Sequence, residues 1–174
     1  MLNCIKAGLI KLEGSDIMKE YQGGCLCGDI RYQVSGDPDR VAVCHCRYCQ
    51  LRTGAPFGSL VYFETSKVEI LEGNPSNFSF TSESGSGWQT AFCSHCATTL
   101  FVELENRPGL IAISYGTFDP PTFHFPITRE VFTRSKAHFI GELEAAEHHE
   151  TIVGYEPVHS EDTRLSGMVN QTEN

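Results

Sequence analysis

Cys44-His45-Cys46-Arg47-Tyr48-Cys49 puts three thiols within six residues. Two further clusters, Cys25-Leu26-Cys27 and Cys93-Ser94-His95-Cys96, bring seven of the chain's eight cysteines into close groups. Cysteines two or three residues apart bond to each other only with strain, because a disulfide asks for a particular Cα separation and torsion. The same spacing suits metal coordination, where a tight turn aims two sulfurs at one ion. Zinc binding is therefore expected, ahead of disulfides or a Cys-x-x-Cys redox pair.

Seven thiolates divide as four plus three. Two knuckles from distant segments, Cys25 with Cys27 and Cys93 with Cys96, would close one four-thiolate site, which is structural. Cys44, Cys46 and Cys49 grip one face of an ion and leave the other open to water or substrate. Gly28 follows the first knuckle and Ala97 the second. If that position needs a positive φ, alanine costs about 1–2 kcal/mol there. Arg47 and Arg52 add positive charge beside the three-thiol group and are candidates to meet a substrate, although surface solvation explains them as well.

Outward from these clusters the chain reads as short β-rich runs between turn signals. Strands are expected at Asp29–Val34, Val41–Cys44, Phe57–Phe63, Lys67–Leu71, Asn77–Thr81, Thr98–Glu103, Leu110–Tyr115 and Val131–Ile140. A helical turn or two is expected after Cys46 through Leu51, and a second helical candidate lies at Leu143–His149. The fold class is all-β. Residues 18–156 are expected to form a single domain, with 1–17, and so Cys4, an extension outside the fold. Residues 157–174 are expected to be a flexible acidic and polar tail, since they hold too little apolar area to offset chain entropy. His148 and His149 read as a solvated pair rather than as ligands.

The net charge of −9 comes with scattered basic residues, which argues against nucleic acid or an anionic membrane surface as partner. The first twenty residues contain no signal-peptide core, and no transmembrane run occurs. A cytoplasmic protein is expected.

The order Gly24-Cys25-Leu26-Cys27-Gly28, then Cys44-His45-Cys46-Arg47-Tyr48-Cys49 followed by Thr53-Gly54-Ala55, then Phe92-Cys93-Ser94-His95-Cys96, resembles the glutathione-dependent formaldehyde-activating enzyme and centromere protein V family. The resemblance spans about Tyr21 to Leu143. It implies an Mss4-like β fold with two zinc ions per chain: Cys25, Cys27, Cys93 and Cys96 at the structural site, and Cys44, Cys46 and Cys49 at the catalytic one. Ala97, Glu130 and Phe139 depart from the family's usual Gly, His and Trp.

The activity implied is that of a carbon–sulfur lyase joining a thiol to an aldehyde, or cleaving the adduct. Glutathione plus formaldehyde giving S-hydroxymethylglutathione is the family example. The rival is a non-catalytic zinc-stabilised binding module or thiol sensor, with the middle site closed by His45, His95 or His124. A thiol redox protein is a third reading.

Overall fold

The chain's pleat, more than its helices, determines where the site lies. The computed structural model describes residues 19–158. The expected extension 1–17, with Cys4, and residues 159–174 of the expected tail lie outside them.

Eleven strands are present among the described residues: β1 Glu20–Gly24, β2 Arg31–Ser35, β3 Arg40–Cys44, β4 Gly58–Glu64, β5 Val68–Glu72, β6 Ser76–Thr81, β7 Gly87–Phe92, β8 Thr99–Leu104, β9 Leu110–Ser114, β10 Ile127–Val131 and β11 Ala145–His149. They form a three-stranded sheet, β1-β2-β5, and an eight-stranded sheet, β11-β10-β3-β4-β9-β8-β7-β6. The longest helix, α1 Arg47–Thr53, follows β3 directly. This is the all-β architecture expected, and two sheets with one short helix are consistent with an Mss4-like arrangement.

Successive residues of a strand face opposite sides of its sheet, and β4 uses both sides. Val61 and Phe63 join Val41, Phe101 and Ile113 in the main core, packed against Tyr32 and Val34 of the small sheet. Tyr32 and Phe101 meet edge to face at 5.3 Å, and the Tyr32 hydroxyl bonds Thr117 Oγ1 at 2.9 Å, so this buried phenol is satisfied. The alternate residues of β4, Leu60 and Tyr62, join Ala112, Val102, Trp88 and Leu104 on the opposite face. That second face is the floor of a cavity.

Three sequence expectations change. The expected strand Val131–Ile140 ends where it was to begin: β10 stops at Val131, Phe132 turns left-handed at φ 57°, and a 3-10 turn covers Thr133–Ser135. The helical candidate Leu143–His149 contains β11 instead, paired in parallel with β10 from Ile127↔Ala145 to Val131↔His149. Edge pairing overrides the helix propensity of its Ala and Glu residues. His148 and His149 are not a freely solvated pair, because His148 Nδ1 lies 2.7 Å from Glu130 Oε2 and His149 Nε2 lies 3.1 Å from Glu147 Oε2.

Residues 151–158 run back as a strap over the cavity. Phe132 N–H donates to Thr151 O, Tyr155 packs edge-on to Phe132 at 5.3 Å, and Val158 N–H donates to Glu83 O at 2.9 Å. The first two residues of the expected tail thus have a place against the β6–β7 turn. Among the described residues no helix is long and apolar enough to cross a membrane.

Candidate metal centres

The β1–β2 and β7–β8 connections bring Cys25, Cys27, Cys93 and Cys96 together, with their ligand atoms within 4.8 Å of one another. The Cys25 and Cys27 sulfurs are 3.4 Å apart, and those of Cys27 and Cys93 3.6 Å. Zinc–sulfur bonds of about 2.3 Å in a tetrahedron give sulfur–sulfur edges of about 3.8 Å. The group therefore fits such an ion. A cation here would tie the three-stranded sheet to the large one, since each connection belongs to a different sheet.

Each knuckle is drawn shut by backbone bonds: Gly28 N–H to Cys25 O at 3.1 Å, and Ala97 N–H to Cys93 O at 2.9 Å. Both closing residues are left-handed, Gly28 at φ 85° and Ala97 at φ 60°. Ala97 therefore holds the conformation that the sequence reading marked as costly. The Thr98 hydroxyl and N–H hold the Cys96 thiol down to about 5. The Asp29 N–H favours the Cys27 thiolate, yet burial and the three neighbouring sulfurs push it up to about 12. Four thiolates this close repel one another, and a cation would remove that repulsion.

Cys44, Cys46 and Cys49 also converge within 4.8 Å, and all three are buried. β3 delivers Cys44, Cys46 caps α1, and Cys49 lies on the buried side of its first turn. A seven-residue helix is marginal alone. Here Gln50 Nε2 donates to His45 O at 3.0 Å, and Gly54, left-handed at φ 64°, ends the helix by donating to Gln50 O. The Cys49 thiol is held well below its ordinary value, first by Cys44 and Cys46 and then by Arg52. Contacts with Cys46 and Cys49, together with burial, push Cys44 well up. One thiolate forms readily among the three, and a cation would release the other two protons.

No histidine closes this site among the described residues, because the group holds only the three cysteines. His45 is buried but points its Nε2 at Glu130 Oε1, 2.9 Å away. His95 reaches Asp29 at 2.8 Å beside the other knuckle, and His124 bonds Pro121 O and stacks on Tyr21. The closed form expected of a binding module is therefore not built by these side chains.

Arg52 turns inward. Its Nη2 and the Cys49 side chain occupy the space above Gly58, where a Cβ would stand 2.9 Å from Nη2 and 3.2 Å from Cys49 Cβ. Arg47 occupies the first position of α1. Neither arginine lines the cavity at the three thiols; Arg40, Arg107 and Arg129 do. The sequence reading missed these three because strand register places Arg40 and Arg129, and the β8–β9 turn places Arg107. Arg40 stands opposite Tyr62 two pleats from Cys44, and Arg129 stands opposite Ala42 one pleat away.

That cavity measures about 120 Å³ and has the three thiols at one end. Its floor is Ala42, Leu60, Tyr62 and Leu104, and Phe132, Ile152 and Tyr155 roof it from β10 and the strap. Tyr48 and Trp88 line it, with Phe80 stacked between them at 5.5 Å from each. Burial, then the nearby Cys49 and Cys44, push the Tyr62 phenol up, so it remains a hydrogen-bond donor. Arg40 pairs with Asp39 and Arg129 with Glu147, whereas Arg107 forms no ion pair with a described residue.

Glu130 lies at the centre of a buried network behind the site. Its Oε1 meets His45 at 2.9 Å and Lys136 at 2.7 Å, and its Oε2 meets His148. Burial opposes its ionisation, but Lys136, His148 and His45 together hold its carboxyl below the usual value.

Residues 20–135 match the family described as the glutathione-dependent formaldehyde-activating enzyme. Over 89 residues the chain is 30% identical to an uncharacterised lyase of Schizosaccharomyces pombe. That alignment takes in 51% of this chain and 61% of the relative, so the chain spans less than two thirds of that protein's length. A Rhodobacter sphaeroides protein of known crystal structure is similar at a TM-score of 0.47 and 16% identity, over 57% of this chain and 88% of that one. The family match ends before β11 and the strap begin.

Proposed function

The chain belongs to the glutathione-dependent formaldehyde-activating enzyme family, and from that premise we propose that it is a zinc-dependent carbon–sulfur lyase, forming or cleaving a thiol–aldehyde adduct in the cavity beside Cys44, Cys46 and Cys49. The observation that carries this reading is the three-thiol group at a cavity wall with no fourth donor from the described residues. Two zinc ions per chain are proposed. Cys25, Cys27, Cys93 and Cys96 hold the structural one, and Cys44, Cys46 and Cys49 the catalytic one.

When bound at the three cysteines, zinc supplies a cation that stabilises an incoming thiol in its deprotonated form and polarises a carbonyl. The chain's own residues do the rest. Arg52 balances negative charge at Cys49, where it already favours the thiolate. The apolar floor of Ala42 and Leu60 excludes water, which would compete with the thiol for the aldehyde. Arg107, free of ion pairs to described residues, is placed to meet a carboxylate such as glutathione carries; Arg47 and Arg52, expected in that role from the sequence, lie off the cavity. The Tyr62 hydroxyl donates to the aldehyde or adduct oxygen. Residues 18–156 act as one unit in this reading, in the cytoplasm, where thiols stay reduced.

The test is adduct formation from glutathione and formaldehyde, followed by proton NMR exchange with and without the zinc-loaded protein. Acceleration abolished by Cys46→Ser supports the enzyme. Thiol binding without acceleration favours a sensor.

A further inference from the structure

Glu83 is an acid buried in the cavity wall with one of its two oxygens unused. Its residue is only 3% exposed. Oε1 accepts a 2.7 Å hydrogen bond from the Tyr155 hydroxyl, whereas Oε2 is buried and has no partner among the described residues. Ser86 Oγ, on the same turn and in the same wall, is also buried without a partner. Buried polar atoms are nearly always hydrogen-bonded, and an oxygen left bare is costly. Both residues line the cavity, and a ligand's donor groups would satisfy these two atoms.

The turn that carries them is fixed. Ser82 N–H donates to Ser86 O and Gly85 N–H to Ser82 O, with Gly85 left-handed at φ 77°. From outside, the strap holds Glu83 by its backbone through Val158 and by its side chain through Tyr155. The turn is also docked on the thiol site. Phe80, three residues before Glu83, stacks on Tyr48 of α1 with planes only 4° apart. Tyr155 packs into the same cluster as Cys44, Cys46 and Cys49.

We propose that Glu83 is the catalytic residue that carries the proton in the thiol–aldehyde reaction, with Tyr155 as the positioning residue that aims its free oxygen into the cavity. This rests on the reaction proposed above. As the thiol binds and becomes a thiolate, its proton passes to Glu83 Oε2, and the sulfur electron pair then forms the bond to the aldehyde carbon. The carbonyl π pair moves to the aldehyde oxygen, which takes that proton from Glu83. The product keeps every atom of both reactants, and nothing is oxidised or reduced. The reverse sequence cleaves the adduct.

Glu130, the other buried carboxyl near the site, does not fit this role. His45, Lys136 and His148 occupy both of its oxygens, and it does not line the cavity. The strap that holds Glu83 lies beyond the family-matched residues 20–135. Nothing in the cysteine pattern pointed to either residue.

The experiment uses Glu83→Gln, which keeps an oxygen for Tyr155 but cannot accept the proton. With glutathione and formaldehyde, the rate should fall by about 100-fold or more, the usual range for loss of a general acid–base group. In Glu83→Ala, formate should restore part of the rate. Without turnover, difference infrared spectra on adding glutathione should show a carboxylate becoming protonated in the unmodified protein and not in Glu83→Gln. Tyr155→Phe should lower the rate and weaken the same infrared change. No acceleration by the unmodified protein would overturn the proposed reaction and this inference with it. Acceleration retained in full by Glu83→Gln, or a spectrum lacking the carboxylate change, would overturn this inference alone.

Discussion

His45 Nε2 and Glu130 Oε1 lie 2.9 Å apart, with both residues at most 1% exposed. The contact takes a histidine that sits in sequence between two cysteines of the middle group and turns it to the far side of β3. The three thiols are thereby left without an imidazole, and their open side faces the cavity. Glu130 is thus a structural partner of His45, Lys136 and His148.

Removing that partner should be costly. Glu130→Ala leaves His45 and Lys136 facing a void, and breaking one side of a buried charged network typically costs about 3–5 kcal/mol. Chemical denaturation of the metal-loaded protein would read the loss directly. A change under about 1 kcal/mol would show the network to be incidental.

The same carboxylate gives an acid limb to stability. Its folded-state pKa is depressed from the ordinary value of 4.5, first against burial and then by Lys136, His148 and His45. Its contribution is therefore fully present above that ordinary value and is lost as the pH falls through the lower folded value. Denaturation midpoints measured downward from pH 5 should fall more steeply for the unmodified protein than for Glu130→Gln.

Ala97→Gly should stabilise. Ala97 sits at φ 60°, where an L side chain costs about 1–2 kcal/mol and glycine costs little. The gain should be about 1 kcal/mol in thermal unfolding, offset in part by the greater freedom of glycine in the unfolded chain. A lower melting temperature would show that the methyl group makes a packing contribution larger than the strain.

The two metal groups should separate by mutation. Cys25→Ser or Cys96→Ser should give insoluble or unfolded protein, because binding at a structural zinc site supplies on the order of 10 kcal/mol of folding free energy. Cys46→Ser or Cys49→Ser should leave a folded domain with less metal. Circular dichroism with metal analysis distinguishes these outcomes, and equal collapse in all four variants would remove the distinction between the sites.

The cysteine clusters and most strands of the large sheet could be read from local sequence because spacing and alternation are local properties. β1, Glu20-Tyr21-Gln22-Gly23-Gly24, could not, since it has a single large apolar side chain and relies on pairing with β2. β11 reads as helix until its parallel partner β10 is known. The cavity was less legible still. Its thiol end comes from one contiguous stretch, but Leu60, Val102 and Ala112 share its face only through register across three strands. Glu83 and Tyr155 are 72 positions apart and meet only when the strap folds back.

If one metal centre is closed and the other open to a thiol, the two differ in their response to an added ligand. Cobalt-substituted protein titrated with glutathione reads that difference through the thiolate-to-metal absorption bands. About half of the absorption should shift, with the shifting part absent in Cys49→Ser and the remainder unmoved by millimolar thiol. A spectrum that does not respond to glutathione, or one in which both centres respond together, would rule out a closed and an open centre.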